Sequence, residues 1–135
     1  MLAKMPSYEL NENGEIREWM WKDLQDNHKH RHASQLFGLY DLHDPLIMEN
    51  DKFRSGCKKA IDRRMEIRRE DNGGIMAFGM IQLAFAASAL GETETAYDML
   101  KWLGNSYWNN NMVSTHDPKK TFNVEIGRAS CRERV

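Results

Sequence analysis

The sequence predicts an all-α fold, and three observations carry that prediction. Phe53, Cys57, Ala60, Ile61 and Met65 recur at spacings of four, three, one and four, the stripe of an amphipathic helix. The stretch from Ile75 to Leu90 holds almost no charge and ends at a glycine, Gly91. No strand-rich region occurs along the chain.

Taken in order, residues 5–14 read as an extended segment closed by the turn pair Asn13-Gly14. Ile16, Trp19 and Met20 follow at helical spacing, as a short helix or a buried loop edge. Residues 22–31 are polar and irregular. Ala33 to Tyr40 fits a short helix, and Gly38 weakens its end. Asp44-Pro45 marks a break, because the residue before proline avoids the helical region.

Asn50 or Asp51 caps the next helix. Its apolar stripe includes Cys57, which reads as a buried thiol. Lys58, Lys59, Arg63, Arg64 and Arg68 read as a solvated basic face interleaved with Asp62, Glu66 and Glu70, in preference to a phosphate-binding face. Asn72-Gly73-Gly74 ends this helix. Ile75 to Leu90 is apolar on all sides and reads as a helix buried between others. Glu92 to Leu103 forms a further helix with Ala96, Met99, Leu100 and Leu103 inward, stopped by Gly104. The last two helices make a tight antiparallel hairpin. So few helices cannot cover an all-apolar helix on every side, so neighbours are expected to be missing.

Composition narrows the function. The chain has 135 residues, 41% hydrophobic and 29% charged, with a net charge of -1. This balance gives no electrostatic reason for a nucleic acid or anionic membrane partner. No apolar run is long enough to span a bilayer, and the N-terminus lacks a signal-peptide layout. The two cysteines, Cys57 and Cys131, have no metal-type spacing.

The C-terminal text is anomalous. Ile126 to Val135 reads Ile-Gly-Arg-Ala-Ser-Cys-Arg-Glu-Arg-Val and resembles the translation of a short-read sequencing adaptor. Residues 1–124 are therefore expected to be genuine. Residues 125–135 are expected to be foreign, with Glu125 a hybrid codon.

The richest polar cluster is Asp26-Asn27-His28-Lys29-His30-Arg31-His32. His28, His30 and His32 share a face only in a strand, where they would form a metal site with His43 or a carboxylate. The surrounding turn formers argue against that, and no metal or cofactor is expected. Polar ligand recognition is the second reading. Arg31 offers a planar fork of donors, and His32 donates or accepts. Trp19, Trp21, Phe37 and Tyr40 supply flat apolar faces. A sugar needs that mixture of donors and flat surfaces. An ordinary surface loop is the third reading.

Two stretches resemble glycoside hydrolase family 95, the α-L-fucosidase-type family. His30-Arg31-His32-Ala33-Ser34-Gln35-Leu36-Phe37-Gly38-Leu39-Tyr40 is similar to the family's His-Arg-His-x-Ser-His-Leu-Tyr-Gly-Leu. Asn13-Gly14-Glu15-Ile16-Arg17-Glu18-Trp19 resembles its Asp-Gly-x-Leu-x-Glu-Trp. Thr115-His116 resembles a Thr/Ser-His turn before the catalytic base.

The resemblance implies a partial (α/α)6 barrel and hydrolysis of α-L-fucosides with inversion. An acid protonates the leaving oxygen while a base activates water on the other face. The family's acid is a glutamate, and its base is an aspartate helped by an asparagine pair. The acid and the asparagines fall N-terminal to this chain, so the isolated chain is expected to be inactive. Arg31, His32 and His116 match sugar-contacting positions. The base position falls at Glu125, the junction residue. Glu9, Glu12 and Glu15 read as solvated turn carboxylates rather than the acid.

Gln35 departs from the family's histidine, and the Ile75 helix lacks the Trp-Ser-x-Ala-Trp pattern of better-known members. These departures leave α-L-galactosides open beside fucosides. The partner implied is a fucosylated glycan, together with the N-terminal remainder of the domain. The alternative is a helical-repeat protein-binding module without catalysis. No second copy of the hairpin occurs at a period of about 34 residues, however.

Overall fold

The computed structural model describes residues 6–70 and 76–118. The predicted turn at Asn72-Gly73-Gly74, the base position Glu125, Cys131 and the adaptor-like tail lie outside them. Among the described residues the fold is all-α, and β pairing is limited to the isolated bridges Leu10–Ile16 and Trp108–Ser114.

The N-terminal segment folds back at the Asn13-Gly14 turn, with Gly14 at φ +75°. Asn11 Oδ1 accepts from the N–H groups of Asn13 and Glu15, each at 3.0 Å. No helix forms at 16–20. Ile16 is buried at the foot of the turn, while Trp19 and Met20 are exposed. A 3-10 turn at Ser34–Leu36 runs directly into α1 at Phe37–Tyr40. Together they occupy the span expected for one short helix.

Asp44-Pro45 ends one segment and opens the next. Pro45 sits at the start of α2, Pro45–Met48, where its missing N–H costs nothing. Asp44 Oδ1 caps α2 by accepting from Leu46 N–H at 3.0 Å, and Oδ2 accepts from the Tyr8 hydroxyl at 2.9 Å.

α3 spans Asp51–Glu70. Asn50 is its cap, with Oδ1 accepting from the N–H groups of Lys52 and Phe53 at 3.0 and 3.3 Å. Gly56, in mid-helix, lets the Asn13-Gly14 turn lie directly on α3. Its carbonyl accepts from Ile16 N–H at 3.1 Å, and a Cβ at this position would stand 2.5 Å from Leu10 Cδ2.

α4 spans Ala77–Leu90 and α5 spans Thr93–Ser106, and they make the most extensive helix pair. Gly91 ends α4 in the left-handed region at φ +82°, and its N–H bonds back to Ala87 and Ser88. Gly104 does not stop α5, contrary to the sequence reading. The helix runs on to Ser106, and buried Tyr107 closes it with an N–H bond to Leu103 at 3.1 Å.

The core joins Leu36, Leu39, Ile47, Cys57, Ile61, Met80, Leu83 and Met99 across all five helices. One expectation for α4 holds only in part. Ala77, Met80, Leu83, Ala84 and Ala87 are buried, but Phe85 remains 42% exposed and Phe78 and Ile81 are half-buried.

Candidate functional site

The expected basic face of α3 divides in two. Arg63 pairs with Glu66 at the surface, as expected. Arg64 and Arg68 do not: they are 0% and 3% exposed. The reason lies in the helical period. Cys57, Ala60, Ile61, Arg64 and Arg68 continue a single inward stripe at steps of three, one, three and four.

A buried guanidinium needs partners for its donors. Arg64 finds them for its two Nη nitrogens, chiefly in the histidine-rich loop, while its buried Nε has none among the described residues. Nη1 donates to the carbonyls of His30 and His32 at 2.8 and 2.7 Å. Nη2 donates to the carbonyl of Asn27 at 3.3 Å and to Gln35 Oε1 at 3.5 Å. Glu18 Oε2 stands 3.5 Å from the same nitrogen, with its side chain almost fully buried. Burial lowers the Arg64 pKa, and the charges of Glu18, Asp26 and Glu15 oppose that shift. Arg68 lies one turn further along. Burial, with the neighbouring Arg64 charge, brings it down to about 9. Its Nη2 donates to the Arg31 carbonyl at 3.5 Å.

The loop is also tied to the N-terminal turn. Asp26 Oδ1 accepts from Glu18 N–H at 2.7 Å, and Glu18 Oε2 accepts from Asn27 N–H at 2.8 Å. The Gly-Glu-Ile-Arg-Glu-Trp stretch is therefore hydrogen-bonded to Asp26 and Asn27, at the start of the loop that carries the His-Arg-His stretch.

Glu15 corrects the reading of a solvated turn carboxylate. It is 5% exposed, accepts from Asn11 Nδ2 at 2.6 Å and lies 3.4 Å from His28 Nε2. Glu9 is half-buried beside Arg17, and Glu12 is exposed. Glu15, Asp26 and His28 bring ligand-type atoms within 4.8 Å of one another. The Asn11 amide already donates to both carboxylates, to Asp26 at 2.8 Å. Donor hydrogens directed into the trio suit a hydrogen-bonded ion cluster better than a cation, which needs lone pairs. The alternating-strand arrangement of His28, His30 and His32 does not form. Residues 28–31 turn, and His28 faces Glu15, while the His30 and His32 rings sit 5.4 Å apart.

Of the three expected sugar contacts, His32 is half-buried and its ring meets Phe78 edge-on at 5.8 Å. His116 reaches the same helix start, where its carbonyl accepts from Ala77 N–H at 2.7 Å. Buried Thr115 anchors that turn through its N–H to Tyr107 at 2.6 Å and its hydroxyl to the Asp117 carbonyl at 3.0 Å. His32 and His116 therefore flank the first turn of α4. The Arg31 side chain is exposed. A shallow depression between the Asn13–Glu15 turn and the Lys59–Arg69 face of α3 has none of the three in its lining.

Among the proposed aromatic faces, Trp19, Trp21 and Phe37 are exposed. Tyr40 is buried, edge-on to Phe37 at 5.9 Å. From α4, Gln82 donates to the Tyr40 hydroxyl at 3.0 Å and accepts from Ala33 N–H at 3.1 Å. The sequence reading missed Arg64 and Gln82. The available signal was a polar residue at an inward position of a helical stripe.

Comparison with known proteins bears on this arrangement. No solved structure matches the chain. The chain is 33% identical over 73 residues to alpha-L-fucosidase 2 of Arabidopsis thaliana. That alignment covers 53% of the chain and 8% of the relative, so the chain spans a small part of that protein. The catalytic-domain description of glycosyl hydrolase family 95 matches residues 1–126. The all-α architecture agrees with a segment of that family's α/α barrel. The chain belongs to glycosyl hydrolase family 95.

Proposed function

We propose that this chain is the sugar-contacting segment of an inverting glycoside hydrolase acting on α-L-fucosides, or on the related α-L-galactosides, of glycans. One observation carries the reading: His32 and His116, from loops far apart in sequence, flank the first turn of α4. Hydrogen-bonding groups beside an aromatic ring suit a sugar, which offers hydroxyls and apolar C–H faces.

In this reading Arg31, His32 and His116 bind hydroxyls of the sugar at the cleavage point. The base that activates water stands at position 125, where the native residue is aspartate. The acid and the asparagine pair come from the rest of the protein. In the same reading residues 125–135 are foreign text. The fucoside preference rests on the plant relative's name. A galactoside differs by one hydroxyl on C6, which pocket shape decides.

The test is turnover by the full-length protein, with aryl α-L-fucoside and aryl α-L-galactoside compared. Proton NMR of the first product anomer reads the stereochemistry. The expected result is β-anomer from one of the two substrates and no turnover by the isolated chain. Retention of configuration, or hydrolysis of neither substrate, contradicts the reading.

A further inference from the structure

We propose that Arg64 and Gln82 are positioning residues for sugar binding, acting from two helices beneath the Asn27–Ala33 loop to hold His32 in place. This rests on the reading of that loop as a sugar contact.

The loop makes no sheet ladder and belongs to no helix. Its backbone is fixed from below instead. The carbonyls on either side of Arg31, those of His30 and His32, both accept from Arg64 Nη1. The start of the loop is held at the Asn27 carbonyl by Arg64 Nη2. Its end is held at Ala33 N–H by Gln82 Oε1. The anchors stand on α3 and α4, which pack against each other. Gln82 is itself oriented by its bond to the Tyr40 hydroxyl.

The residue type matters. A planar guanidinium spans several carbonyls at fixed angles, whereas an ammonium is a point donor. Arg64 is wholly buried, so it acts through the loop rather than on the sugar. Displacing a substrate-positioning group by about 1 Å costs up to about 100-fold in rate. Arg64→Lys keeps the charge and loses the fork, so it should shift the loop without leaving a buried carboxylate uncompensated.

The experiment is a double-mutant cycle in kcat/KM on the aryl glycoside, using the full-length protein. The variants are H32A, R64K and the pair. If Arg64 works through His32, R64K alone lowers kcat/KM by about 10-fold to 100-fold. In the H32A background it then adds no more than about 2-fold, the scatter of independent sites. Losses that multiply overturn the proposal, as does an R64K enzyme with wild-type kcat/KM. Should R64K not fold, Gln82→Met removes the bonds to Ala33 N–H and the Tyr40 hydroxyl but leaves the Arg64 fork intact, and the same cycle with H32A decides by the same criterion. An H32A enzyme with undiminished kcat/KM is a separate outcome. It removes the sugar-site reading and this proposal with it, whereas multiplying losses remove only the positioning role.

Discussion

Arg64 Nη1 lies 2.7 Å from the carbonyl oxygen of His32, so a fully buried cation on α3 fixes the backbone of the loop that carries His30-Arg31-His32. The charge is balanced by Glu18 at 3.5 Å, with Glu15 and Asp26 close by.

Removing that cation should be costly. Arg64→Met keeps much of the volume but leaves Glu18 buried without its counter-charge and strips donors from three carbonyls. Breaking a buried pair in this way costs about 3–5 kcal/mol. Urea unfolding of R64M against wild type reads it. A loss below about 1 kcal/mol, the value of a surface pair, contradicts this account.

The glycines separate by their surroundings. At Gly56 a Cβ would meet Leu10 Cδ2 at 2.5 Å and the backbone of Gly14 and Ile16 at 3.3 Å. G56A should therefore destabilise by about 1–3 kcal/mol despite alanine's better helix propensity. At Gly104, inside α5, nothing lies within 4 Å. G104A should stabilise by up to about 1 kcal/mol. Thermal melts of the two variants should move in opposite directions.

Asn50 caps α3 through two N–H groups. Asn50→Ala should cost about 1 kcal/mol, and Asn50→Gly only a few tenths. Chemical denaturation of both variants checks the order.

Burial pushes the Cys57 thiol up to about 12. The folded state holds that proton more tightly than the unfolded chain does. The resulting stabilisation is complete below the thiol's ordinary range and fades as pH rises from about 9 towards about 12. Cys57→Ala lacks this dependence. Tyr107, also raised to about 12 by burial, titrates in both proteins and cancels in the comparison. The stability gap between wild type and C57A should therefore narrow between about pH 8 and about pH 10.5. A constant gap contradicts the burial account.

What was legible in the sequence was local. Periodic apolar positions marked α3 and α5, and an almost uncharged stretch marked α4. Asn50, Asp44-Pro45 and Gly91 marked three boundaries, because each acts on backbone groups within a few residues of itself. The failures came from long-range partners. Arg64 and Arg68 read as surface, because guanidinium groups belong there unless distant carbonyls take up their donors. Their places on the Cys57–Ala60–Ile61 stripe held the clue. Glu15 read as solvated, because Asn11 and His28 close over it only after the chain turns twice. Gly104 read as a stop, because glycine often ends helices, but here buried Tyr107 sets the end. Within the candidate site, the His-Arg-His motif marked the loop. That His32 and His116 would meet the same turn of α4 depends on packing that no local pattern shows.

The central claim is that the Asn27–Ala33 loop, where His32 meets Phe78 of α4, binds the sugar. Its most direct measurement is kcat/KM of the full-length protein on the aryl glycoside it hydrolyses, for His32→Ala beside His43→Asn. His43 is exposed, with φ +48°, a conformation that asparagine tolerates. H32A should lower kcat/KM by about 10-fold to 100-fold, in line with losing one hydrogen bond to the substrate, while H43N stays at the wild-type value. Equal activity of H32A and H43N would contradict the account.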